Sequence, residues 1–179
     1  AQTNLLAVRV ERNDGADSRW YPGSGIYRHV WLTRTLPVHV ASWGVQITTP
    51  RVTAESADVV ATTTVTNGSP EKIALTIISR IMDEAGEIQS ETSSPLELTA
   101  GASKTLAEWQ KLSQPHLWSL EQPTLYRLVT QLKNGTELLD EVTNTFGVRT
   151  CYFDAAKGFF LNGTNLLIKG VCLHHDAGA

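Results

Sequence analysis

The chain is 179 residues long, with 41% hydrophobic and 18% charged residues and a formal net charge of -3. That length holds one domain with extra segments, or one domain and parts of two others, and the composition supports a packed core rather than global disorder. The acidic balance supplies no basic face for nucleic acid or an anionic membrane, and no apolar run approaches the roughly 20 residues that span a bilayer.

Residues 1 to about 36 form the first region. It starts at Ala1 with no initiator methionine (the sole methionine is Met82) and carries no basic-then-apolar leader. The chain is therefore expected to be cut from a longer protein. Residues 5–11 and 29–33 read as strands. Between them lie a polar loop and the aromatic, glycine-rich stretch Arg19-Trp20-Tyr21-Pro22-Gly23-Ser24-Gly25-Ile26-Tyr27-Arg28. Two strands cannot bury enough surface to fold alone, so this region reads as the tail of a larger sheet domain.

The second region, about 38–148, reads as seven short strands. They fall at 38–48, 57–66, 72–82, 87–93, 104–112, 125–132 and 137–148. Alternation is clear at Val59, Ala61, Thr63 and Val65. Turn chemistry separates the runs at Asn67-Gly68-Ser69-Pro70, Asp83-Glu84-Ala85-Gly86 and Asn134-Gly135. No sustained helical period occurs. The expected fold class is all-β, a two-sheet sandwich of immunoglobulin type without the Cys-Trp-Cys core of antibody domains.

The third region is 150–179. Residues 158–170 predict a hairpin with Asn162-Gly163 at its tip. The apolar run 170–173 predicts a strand buried on both faces, and the chain then reaches His174-His175-Asp176. Such an ending is expected of the first strand of an α/β barrel parted from the other seven. Cys151 and Cys172 form neither a disulfide framework nor a CxxC motif. Cys172, inside the apolar run, is expected to be a buried small hydrophobe.

Three segments, in order, carry a resemblance. The first is Asn4-Leu5-Leu6-Ala7-Val8-Arg9-Val10 with Ser18-Arg19-Trp20-Tyr21-Pro22-Gly23-Ser24-Gly25-Ile26-Tyr27-Arg28-His29-Val30. The second is Pro115-His116-Leu117-Trp118-Ser119 with Pro123-Thr124-Leu125-Tyr126. The third is Phe146-Gly147-Val148-Arg149-Thr150, then Phe159-Phe160-Leu161-Asn162-Gly163, then Leu167-Ile168-Lys169-Gly170-Val171 and His174. Together they resemble glycoside hydrolase family 2, the β-galactosidase-like family, over nearly the whole chain. The resemblance implies the end of a sugar-binding β-domain at 1–36, an immunoglobulin-like domain at 37–149 and the start of a (β/α)8 barrel at 150–179. Many members read Gly-Val-Asn-Arg-His-Glu where this chain reads Gly170-Val171-Cys172-Leu173-His174-His175, so the substrate is left open among β-galactoside, β-glucuronide and β-mannoside, with the first favoured.

The resemblance also implies retaining chemistry. One carboxylic acid protonates the leaving oxygen, and a carboxylate about 5–5.5 Å away attacks the anomeric carbon. In the family both are glutamates late in the barrel, expected beyond residue 179, so this chain alone is expected to be inactive. Glu84, Glu87, Glu91 and Glu108 are expected to be solvated surface carboxylates. His174, at the end of a barrel strand, is the leading sugar contact, with His175 beside it. Asp17, Arg19 and Trp20 form a second candidate, which can equally be a packed interdomain loop. Tyr27 and Arg28 are expected to be structural, and Trp43, Trp109, Trp118 and Tyr126 to be core or domain-contact residues.

No cofactor is expected in this stretch, and His-His-Asp is too local to bind zinc. The resemblance leaves room for Mg or Na ions in a parent enzyme, along with a β-glycoside substrate, no nucleic-acid or membrane partner, and a homo-oligomeric assembly. Periplasm and cytoplasm remain equally open. The competing expectation is a free-standing immunoglobulin-like carbohydrate-binding or adhesion module.

Overall fold

In the computed structural model, residues 5–11, 25–26 and 29–172 are described. They fall into two compact units, 1–33 with 169–179, and 34–168.

The larger unit carries ten strands. They are β1 (Val38–Val52), β2 (Ser56–Asn67), β3 (Ile73–Met82), β4 (Ile88–Leu98), β5 (Ser103–Ser113), β6 (Tyr126–Asn134), β7 (Glu137–Phe146), β8 (Cys151–Asp154), β9 (Gly158–Leu161) and β10 (Thr164–Leu166). Three antiparallel sheets result, ordered β1-β2-β5, β4-β3-β6-β7 and β10-β9-β8. The first two face each other as an immunoglobulin-like sandwich, and the all-β expectation holds. Each of the seven expected sandwich strands is present.

Alternation decides the core. On β2, Ala57, Val59, Ala61 and Val65 point inward, opposed by Leu75, Ile77 and Ile81 of β3 and by Leu128 and Leu132 of β6. Burying one such aliphatic side chain is worth about 1.5–3 kcal/mol. The core divides into two apolar clusters. One gathers Val40, Val65, Ile77 and Leu132, and the other Ala61, Ile81, Leu112 and Leu128. Between them each strand places a polar residue: Thr63 on β2, Ser79 on β3 and Thr130 on β6, all fully buried.

The same alternation corrects the expectation for Glu108, and the exposure of Trp109 and Trp43 leaves domain contact as the remaining half of theirs. Leu106 and Leu112 face inward on β5, so Glu108 and Gln110 must follow them, and Trp109 must face out. Glu108 is 3% exposed and therefore not a surface carboxylate, while Trp109 is 66% exposed and not a core residue. Trp43 is fully exposed as well. It sits in an excursion of β1, where Val40 pairs Val65 and Val45 pairs Thr63, leaving residues 41–44 opposite Thr64 alone. Trp43 there takes a left-handed φ of 56°. Any Cβ at Gly44 would lie 2.6 Å from the Ala41 carbonyl oxygen, so only glycine fits. Tyr126, by contrast, is buried as expected.

Strand ends also differ from expectation. β4 runs on through Pro95 to Leu98, past the expected end at residue 93. β4 is an edge strand, so the missing N–H costs no ladder bond. β8 was not foreseen. It is four residues long and follows the linker directly, too short to show a period. The Asn162-Gly163 tip is as expected. Both residues have positive φ, 50° and 78°, and Leu161 pairs Thr164 across them, as in a type I′ turn.

In the smaller unit no strand forms among the described residues, against the expected strands at 5–11, 29–33 and 170–173. Leu5, Leu6, Trp31 and Val171 are exposed, as is Cys172, which is therefore not a buried hydrophobe. A lone extended segment has no ladder to join and no sheet face to pack.

Candidate functional site

The second and third resemblance segments converge in space. After β5 the chain passes Pro115-His116-Leu117-Trp118. The His116 N–H donates to the Tyr126 hydroxyl at 2.9 Å. Leu117 makes a parallel bridge to Val148, and the Trp118 N–H donates to the Val148 carbonyl at 2.8 Å. A Cβ at Gly147 would stand 2.7 Å from the Trp118 Cβ, so the indole packs on bare backbone. The Arg149 guanidinium lies 4.7 Å from the centroid of the Trp118 ring, a cation–π contact. Thr49 donates to the Arg149 carbonyl at 3.1 Å.

Asn162 closes the arrangement. Its side-chain N–H donates to the Trp118 carbonyl at 2.9 Å, and its side-chain oxygen accepts from the Thr150 N–H at 3.0 Å. Its own N–H donates to the Thr150 carbonyl at 2.9 Å. The turn at the tip of β9 and β10 is thereby tied to the sandwich and to the linker leaving β7. The sequence marks Asn162 only as a turn residue. Its second role comes from a contact 44 residues away, which no local pattern carries.

A cleft of about 600 Å³ opens beside this joint, lined among others by Ile47, Pro50, Trp118, Phe146, Arg149 and Cys151. Among the described residues, no carboxylate or imidazole lines it, so it lacks the carboxylate pair that glycoside hydrolysis uses. Among the described residues, no three His, Cys, Asp or Glu side chains come together in a way that could hold a metal ion. Glu84, Glu87 and Glu91 are exposed, and Glu91 pairs with Arg80. Glu97 pairs with Lys72 at 2.6 Å. The hydrogen bond from Lys72, and then its charge, hold the Glu97 carboxyl below its ordinary value. The expected sugar contacts His174, His175, Asp17, Arg19 and Trp20, together with Tyr27 and Arg28, lie outside the described residues.

The chain is similar over most of its length to known glycoside hydrolases. It is 42% identical over 177 residues to the β-galactosidase BoGH2A of Bacteroides ovatus, covering 99% of this chain and 21% of that protein. A solved glycosyl hydrolase family 2 member from Bacteroides cellulosilyticus matches with a TM-score of 0.82 and 33% identity, over 87% of this chain and 20% of that one. A Bacteroides uniformis β-glucuronidase matches with a TM-score of 0.79 and 34% identity, over 86% and 19%. The chain thus spans about a fifth of the length of the relatives it matches. The profile of glycosyl hydrolases family 2 matches residues 38–149, which comprise the whole two-sheet sandwich and the Gly147–Arg149 side of the joint. This chain belongs to glycosyl hydrolases family 2.

Proposed function

We propose that this chain is the non-catalytic forward part of a retaining exo-glycosidase, with a β-galactosidase favoured over a β-glucuronidase or β-mannosidase. The supporting observation is the 42% identity to a β-galactosidase across 99% of the chain. We assign residues 1–36 to the end of a sugar-binding β-domain, 37–149 to the immunoglobulin-like domain and 150–179 to the start of a catalytic barrel. The sandwich is a spacer, and its cleft contains no acid–base pair. Two glutamates beyond residue 179 act as acid and nucleophile. His174 and His175 meet sugar hydroxyls from the end of the first barrel strand, and Asp17, Arg19 and Trp20 approach from the sugar-binding domain. The parent enzyme takes a β-glycoside, forms homo-oligomers and accommodates Mg or Na ions.

The test extends the reading frame past Ala179 and assays the encoded enzyme on nitrophenyl glycosides, beside the 179-residue chain. A barrel with two late glutamates and preferred turnover of the β-galactoside is expected, with none from the short chain. No barrel downstream, or turnover by the short chain that survives repurification, would overturn the reading.

A further inference from the structure

The polar row inside the sandwich has unmet hydrogen-bonding capacity. Thr63 lies between Ala61 and Val65 on β2, Ser79 between Ile77 and Ile81 on β3, and Thr130 between Leu128 and Leu132 on β6. Ser79 and Thr130 are direct cross-strand partners. Glu108 faces them from β5, and its Oε2 accepts from the Ser79 hydroxyl at 2.6 Å, a bond that crosses from one sheet to the other. Gln110 follows on the same inward face, 6% exposed.

Every other polar atom in this row lacks a protein partner. Glu108 Oε1, both side-chain atoms of Gln110, and the hydroxyls of Thr63 and Thr130 are buried and unpaired. Buried polar atoms in folded proteins are almost always satisfied, by protein or by ordered water. The row is enclosed by the apolar clusters on either side, so these atoms have no access to bulk solvent.

We infer that the core of this sandwich is an internal water-binding site, held by Glu108 Oε1, the Gln110 amide and the hydroxyls of Thr63 and Thr130. Water fits the chemistry of the set. The Glu108 oxygen only accepts when ionised, the Gln110 nitrogen only donates, and each threonine hydroxyl does either. Water molecules along the row donate to the first, accept from the second and complete their remaining bonds with the third. A metal cation would meet the oxygens and leave the Gln110 N–H groups unpaired. The site bridges the two sheets where the apolar clusters separate, and so fixes their stacking by directed bonds instead of by packing alone.

Magnetic relaxation dispersion of water oxygen-17 tests this on the full 179-residue chain. A slow-exchanging water population is expected in the wild type. It should shrink by at least one molecule in Thr63→Val/Thr130→Val, where shape is kept, and in Glu108→Met. Should Glu108→Met fail to fold, the double threonine variant decides. No slow water in the wild type, or an equal population in the folded threonine variant, overturns the inference. The thermal midpoint should be the same in sodium and choline chloride at equal ionic strength. A sodium-specific rise that Glu108→Gln abolishes would also overturn it, by assigning the site to a cation.

Discussion

Asn162 holds the Trp118 carbonyl at 2.9 Å through its side-chain amide while occupying a left-handed turn position. Few residues do both. Asparagine tolerates that conformation, and its carboxamide offers a donor and an acceptor at once. Both side-chain hydrogen bonds of the joint between sandwich and hairpin therefore come from one residue.

Asn162→Ala loses both side-chain hydrogen bonds and places a Cβ residue without local compensation at φ 50°. The expected loss is about 1–3 kcal/mol in urea unfolding. Amide exchange at Thr150 should accelerate more than at Val65. Asn162→Gly should recover the conformational part and leave the Thr150 amide fast. Unchanged exchange at Thr150 in both variants would contradict the clamp.

Gly147→Ala should destabilise by about 1–3 kcal/mol, because its Cβ meets the Trp118 side chain at 2.7 Å. Trp118→Ala should remove much of that cost. A double-mutant cycle in which the two losses simply add would show that they do not touch.

Much of this was readable in advance, and the boundary has a physical cause. Period-2 patterning located all seven sandwich strands, and Asn162-Gly163 located the hairpin tip. The inward turn of Glu108 was also written in the spacing from Leu106 to Leu112. It was overridden by the general exposure of glutamates. β8, the Trp118–Asn162 bond and the excursion at residues 41–44 were not readable, since each depends on partners distant in sequence. Of the expected sugar contacts, all five fall outside the described residues.

The two faces of the sandwich should respond differently to substitution. Ile77→Ala empties a fully buried position and should cost about 2–5 kcal/mol. Trp109→Thr, on the outer face of β5, should stay within about 0.5 kcal/mol despite the larger side chain removed. Chemical denaturation of the two variants distinguishes them, and equal losses would mean that Trp109 is covered.

The Lys72–Glu97 pair has a definite pH signature. The Glu97 carboxyl is held low, chiefly by its hydrogen bond from Lys72 and then by that residue's charge. Its folded value lies below the unfolded one, so its contribution is present above the ordinary carboxylate range and is lost as pH falls through the lowered value. The pair is exposed, so the effect on stability is small. Lys72→Met should raise the Glu97 titration towards normal, read from its carboxyl carbon-13 shift. An unmoved titration would dissociate the two groups.

The excursion that projects Trp43 has an effect on how separate molecules meet. β1 and β4 are free margins of their sheets, and a straight margin presents unpaired N–H and C=O groups to any passing strand. β1 breaks that row twice, at residues 41–44 and again at Pro50 between its paired stretches, while β4 breaks it at Pro95. β5 carries Lys104 and Lys111, and β7 carries Glu137 and Glu141. Each margin of the two sandwich sheets is thus interrupted or charged. Concentrated chains should stay apart instead of stacking into fibrils, and straightening β1 by deleting residues 41–44 would remove one of those barriers.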